Sequence, residues 1–168
     1  KGKMNKEAGD TPKKVINVTV PTNAVFTVRN DSTFIGSAIK ITNNGEKPVD
    51  VSVANFIDVD GDYGIKLITD TQVDATKKRN EVNLFLENTA ENKKIYLGNK
   101  ELYSELGEEH LISEEEKKKI AKVLAGSTST INISGKAGTS AEGIEDPISN
   151  RFTLILKIKK NTESNTSK

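Results

Sequence analysis

The chain has no cysteine. Disulfides, thiolate nucleophiles, zinc–sulfur sites and dithiol redox chemistry are therefore excluded. Tryptophan is missing too, and tyrosine is limited to Tyr63, Tyr96 and Tyr103. Clefts that grip sugars lay large aromatic faces against them, so this scarcity weighs against a glycosidase and against an aromatic-platform sugar binder. Among the many carboxylates no spacing selects an acid–base pair. His110 is the single histidine and stands beside Glu108 and Glu109. Nothing is placed to orient it, so it reads as a surface histidine and no nucleophile–base triad is legible. No apolar run approaches the ~20 residues of a membrane-spanning helix. Gly135–Ser140 (GKAGTS) lacks the Walker spacing and no helical pattern follows it, so it reads as a loop and not a phosphate cradle. The formal net charge is +1 (25 basic minus 24 acidic residues), and the lysines are interleaved with glutamates. No basic–aromatic face forms, which leaves nothing to bind nucleic acid. With every catalytic signature missing, the reading is a protein that is not an enzyme.

What the sequence does contain is alternation. Apolar residues recur at every second position in Val15–Val20, Ala24–Val28, Ile39–Ile41, Val49–Val53, Ile65–Ile68, Glu81–Leu86, Lys93–Leu97, Ser127–Ser134 and Arg151–Lys159. Period two is the signature of strands with one buried face. Ile39–Phe56 reads as a β-hairpin, its two runs joined by Asn43-Asn44-Gly45, residues that tolerate the positive φ of a tight reversal. One helix is expected, about Ser113–Ala125. Ser113 and Glu116 form a capping box, Glu114 to Glu116 fill the first turn, lysines follow, and Gly126 sits at the C′ position. Many short strands with almost no crossover helices predict an all-β fold, an antiparallel β-sandwich or jelly roll with that one inserted helix.

Length and composition shifts set the organisation. A chain of 168 residues fits one domain, which buries about two-thirds of its unfolded surface. Residues 1–14 read as a flexible tail with five lysines against Glu7 and Asp10, net +3. Residues 15–160 read as the single domain and 161–168 as a second polar tail. Residues 157–168 also carry +3 (four lysines minus Glu163), so the middle holds +1 − 6 = −5. Basic ends on a mildly acidic body read as solubilising tails, or as attraction between subunits or to an anionic cell surface. The chain opens on Lys1 without an initiator Met, which is compatible with a removed signal peptide. No sorting motif is visible after Lys160.

Two stretches are candidate sites. The first is Asp58–Asp62 (DVDGD), where Asp58, Asp60 and Asp62 alternate around Gly61. Such carboxylates can present hard oxygen ligands to calcium, with Asp70 or Asp74 as further candidates. The EF-hand pattern fails, because its sixth position is Tyr63 and its twelfth Thr69. A solvated acidic turn is the competing reading, and no other cofactor is indicated. The second is Val15–Val20. Val15, Ile16, Val18 and Val20 form a plain, β-prone strand behind a basic tail. It either pairs within its own subunit or inserts into the sheet of the next one.

VINVTVPTNAVFTV followed by AIKITNNGEKPVDVSV, and the closing RFTLILKIKK, resemble exported surface proteins of Gram-positive bacteria, in particular the TasA/camelysin group of biofilm-fibre subunits. The resemblance is one of pattern and covers about half the chain. It implies a jelly-roll sandwich with a helical insertion, secreted and held at the cell surface. It also implies a structural fibre or pilus-like filament of the biofilm matrix, joined by N-terminal donor strands. The partner is then a second copy of the chain, with a cell-surface anchor protein as a further candidate. The acceptor edge is expected at the Ile39–Phe56 hairpin or at the Phe152–Ile158 strand. The alternative is a monomeric cell-surface binding or adhesin module, stabilised by calcium.

Overall fold

The computed structural model describes residues 16–21, 24–29, 31–59, 64–70, 72–98, 114–141 and 151–161. Among these it is nearly all β. The strands are β1 (Val18–Thr19), β2 (Phe26–Val28), β3 (Phe34–Gly36), β4 (Ala38–Asn43), β5 (Val49–Asp58) and β6 (Lys66–Leu67). They continue with β7 (Glu81–Asn88), β8 (Lys93–Tyr96), β9 (Lys119–Val123), β10 (Thr128–Ala137) and β11 (Phe152–Lys160).

Six strands form one sheet in the order β1-β4-β10-β7-β6, with β8 sharing the far side of β7. Three form a second, β11-β5-β9, and β2 and β3 make a separate ribbon. All pairings are antiparallel except β6 on β7. The two larger sheets share one core. Ile39, Ile41, Val82, Leu84, Leu86 and Ile131 meet Val49, Val51, Val53, Ile120 and Val123. The alternation seen in the sequence therefore corresponds to strands such as β4 and the first half of β5, which turn alternate residues to this core.

The β2–β3 ribbon closes one end of the core with aromatic rings. Phe26 stacks on Phe34 at 5.3 Å and lies 5.9 Å from Phe152, which in turn stacks on Phe56 at 5.2 Å. β3 packs directly against β10 at Gly36, where a Cβ would overlap the carbonyl oxygen of Ile133.

Two expectations from the sequence are corrected. The helix expected over Ser113–Ala125 is not formed. Glu114–Lys117 makes a single helical turn, and Lys119–Val123 is β9, antiparallel to β5. The reason is burial. As a strand, Ile120, Ala121 and Val123 are fully enclosed. A register shift opposite Val51/Ser52 leaves Ile120 as the extra residue. Burying an Ile side chain is worth about 2 kcal/mol, whereas helix propensities differ by a few tenths per residue. The lysine-rich charge pattern and the cap could not outweigh that.

The second correction concerns the hairpin. β4 and β5 do not pair with each other: β4 lies between β1 and β10, and β5 between β11 and β9. The connection crosses from one sheet to the other, and the two apolar runs face each other through the core. Among the described residues positive φ is found at Ser32, Asn92 and Gly126, and not at Asn43, Asn44 or Gly45. The reversal is instead held by the Asn43 side chain.

Candidate functional site

The N-terminal strand meets the sheet at this crossing. Val18 lies opposite Asn43 and Thr19 opposite Thr42. The Asn44 N–H donates to the Asn17 carbonyl at 2.7 Å, and its side-chain amide donates to Thr19 Oγ1 at 2.9 Å. Val18 and Val20 pack against the core, while Ile16 is 40% exposed. The next residue, Pro21, has no N–H to donate, and the ladder is two residues long. Val15 lies outside the described residues. Of the four candidate donor residues, then, two fill the chain's own core and one faces solvent.

Asn43 organises the receiving side. It is fully buried. Its amide nitrogen donates to the carbonyls of Lys47 (2.7 Å) and Val123 (2.9 Å), and its Oδ1 accepts the Gly45 N–H at 2.9 Å. Its backbone N–H donates to the Ser127 carbonyl, and its carbonyl accepts from Gly126 N–H. One residue thus ties β4 to the crossing, to the end of β9 and to the start of β10. Asn88 does the same at the other end of β9, donating to the Ile120 carbonyl at 2.9 Å. The sequence reading missed both asparagines. The signal was there: an Asn at an inward position of an apolar strand has to find partners.

The acidic stretch is placed only in part. Asp58 ends β5, opposite Phe152. Asp60 and Asp62 lie outside the described residues. Asp70 accepts the Gln72 N–H at 3.0 Å and faces Lys77 at 3.6 Å. Asp74 accepts the Oγ1–H and N–H of Thr76, at 2.7 and 2.9 Å. These bonds favour its charged form, and the Thr76 hydroxyl chiefly holds the Asp74 carboxyl below the usual range. Asp31 behaves alike: hydrogen bonds from Thr33 lower its pKa. Both are turn-forming carboxylates. Among the described residues no group of three or more His, Asp or Glu is arranged to hold a metal. His110 and Ser113 lie outside the described residues. Among the described residues no helix is long and apolar enough to cross a membrane.

Among the described residues the fold is nearly all β, with two larger sheets sharing one core and a short strand, β1, at the edge of the first. Compared with family models, with curated proteins and with solved structures, the chain has no match.

Proposed function

We propose that this protein is a non-enzymatic structural subunit of an extracellular fibre, secreted and held at the cell surface, in the manner of the TasA/camelysin group it resembles. In this reading the two sheets are the layers of a jelly-roll sandwich. Subunits join by exchanging the N-terminal strand: residues 15–20 of one copy take the place of β1 on β4 of the next. Ile16, Val18 and Val20 are the apolar residues delivered, and a cell-surface protein anchors the first subunit.

One observation carries the reading. β1 is an edge strand held by two ladder positions, yet it supplies Val18 and Val20 to the core. Such a strand costs little to detach and leaves an apolar slot and unpaired backbone groups behind. An identical strand from a neighbour satisfies both, with no new chemistry.

The chain has no cysteine, which makes the test clean. Thr19→Cys with Thr42→Cys places one thiol on each side of the ladder. When assembled material is oxidised, exchange predicts disulfides between chains, seen as a ladder of bands on a non-reducing gel. Oxidation before assembly locks the strand at home and abolishes fibres in negative-stain microscopy. Only monomeric bands from assembled material, or fibres from the locked chain, would sink the proposal. A wild type that stays monomeric would favour a surface binding module instead.

A further inference from the structure

Asn44 and Gly45 are the one Asn-Gly pair in the sequence. They stand at the crossing from β4 to β5, and Asn44 is exposed. Asparagine is a thermolabile residue. It is most open to attack on its own side chain when glycine follows, because glycine has no Cβ to crowd the approach of its backbone nitrogen.

Asn44 is held by the N-terminal strand. Its N–H donates to the Asn17 carbonyl at 2.7 Å. Its side-chain amide donates to Thr19 Oγ1 at 2.9 Å and lies 3.5 Å from Asn17 Oδ1. The Gly45 N–H is held elsewhere, donating to Oδ1 of the buried Asn43 at 2.9 Å. The carbon open to attack and the nitrogen that attacks it are thus tied to different partners. Closing a five-membered ring between them requires the Asn44 amide to leave Thr19 and the Gly45 N–H to leave Asn43. The first restraint lasts only while β1 is docked, and β1 has two ladder positions.

We infer that Asn44 is a self-modifying site gated by β1. The docked strand preserves the asparagine. The detached strand releases it for conversion to aspartate and isoaspartate, after which the strand no longer docks as before. The chemistry needs only water. The Gly45 nitrogen bonds to Asn44 Cγ, the Cγ–Nδ2 bond breaks, and Nδ2 leaves as ammonia with the proton that Gly45 gave up. Water then opens the succinimide. Attack at Cγ gives an ordinary aspartate. Attack at the main-chain carbonyl carbon gives isoaspartate, with the backbone routed through Cγ. Nothing is oxidised or reduced. Both products exchange the amide donor that faces Thr19 and Asn17 for acceptor-only oxygens with a negative charge. Isoaspartate also lengthens the backbone by one carbon just before Gly45, which moves its N–H relative to Asn43 Oδ1. The switch therefore runs one way. Under strand exchange, a subunit so modified stops accepting its neighbour's β1.

The inference needs β1 to open, not a second copy to replace it, so it is tested on the monomeric full-length chain and stands or falls apart from strand exchange. The chain is incubated at mildly alkaline pH, and conversion at Asn44 is followed by peptide mapping that separates aspartyl from isoaspartyl forms. Thr19 is exposed, so Thr19→Val removes the acceptor of the Asn44 amide without touching the core. It is expected to speed conversion about fivefold, the factor that one hydrogen bond holds. Val18→Asp with Val20→Asp removes the apolar side chains that dock β1 and is expected to speed it further, since reaction follows the population of the open form. Thr130→Val, at an exposed position of the same sheet, leaves the rate unchanged. The isoaspartyl form of the wild type is then isolated by its added negative charge. Its backbone amides at residues 17–20 are expected to exchange hydrogen faster than those of the unmodified chain, with β7 unaltered. Conversion indifferent to both β1 variants, or an isoaspartyl form with unchanged exchange at residues 17–20, overturns the inference.

Discussion

At the scale of single residues, buried asparagine does what hydrophobic burial cannot. β9 pairs with β5 on one side, and the Ile120 and Val123 carbonyls each take a further donor from the six-stranded sheet. Asn88 and Asn43 reach across from the six-stranded sheet and donate to them. An apolar contact could hold the sheets together, but a carbonyl buried without a partner costs about 1–3 kcal/mol. Asn43→Ala leaves the Lys47 and Val123 carbonyls and the Gly45 N–H without their partner. The expected loss is about 2–4 kcal/mol, since the crossing is near the surface and water can reach part of it. Asn43→Asp is expected to be worse at neutral pH, because a carboxylate would face two carbonyl oxygens. Burial raises the folded-state pKa of such an Asp above its unfolded value. Its penalty therefore grows as pH rises from the unfolded pKa to the folded one, and shrinks in acid. Urea unfolding of both variants at pH 4 and pH 7 checks this. Equal penalties for Asn43→Asp at the two pH values would contradict the buried geometry.

At the scale of elements, the alternation in the sequence was enough to find most strands and was silent on how they pair. Ile39–Ile41 and Val49–Val53 look the same whether they lie side by side or face each other from two sheets, because either arrangement puts the same residues in the core. Only long-range partners decide, and here β10 and β11 took the positions that a hairpin would have filled. The helix expected at Ser113–Ala125 failed for a related reason: a cap and a charge gradient are local, whereas the burial of Ile120, Ala121 and Val123 is not. Of the candidate site, the apolar character of Val18 and Val20 was legible, but the two-residue ladder was not. Close approach between elements was also hidden. Gly36 lies against the Ile133 backbone, with the Ile133 N–H donating to the Ser37 carbonyl at 3.0 Å. Gly36→Ala is expected to push β3 off β10 and to cost about 2–3 kcal/mol, since the neighbour is backbone and cannot rotate away. The expected readout is a lower urea midpoint, with faster hydrogen exchange at the Ile133 amide. An unchanged midpoint would show that β3 can slide without loss.

At the scale of the whole molecule, the symmetry of the proposed strand exchange has consequences. Strand exchange is heterologous: each copy gives β1 and receives one, so assembly stays open and grows as a filament. Exchange also implies that β1 is separable from the rest of the fold, and this can be tested without any fibre. A chain lacking residues 1–20 loses Val18 and Val20, two half-buried side chains worth roughly 1–3 kcal/mol together. It should remain folded, because β4 keeps its ladder with β10 and the core cluster loses no fully buried residue. The vacated slot on β4 should then accept the missing strand in trans. A synthetic peptide of residues 12–21 is expected to raise the melting temperature of the truncated chain progressively with concentration, as any ligand specific for the folded state does. The peptide with Val18→Asp and Val20→Asp is expected to have no effect, since it offers the same backbone with no apolar side chains for the core. If the two peptides act alike, the slot does not recognise the residues that strand exchange requires, and β1 is only a local edge strand.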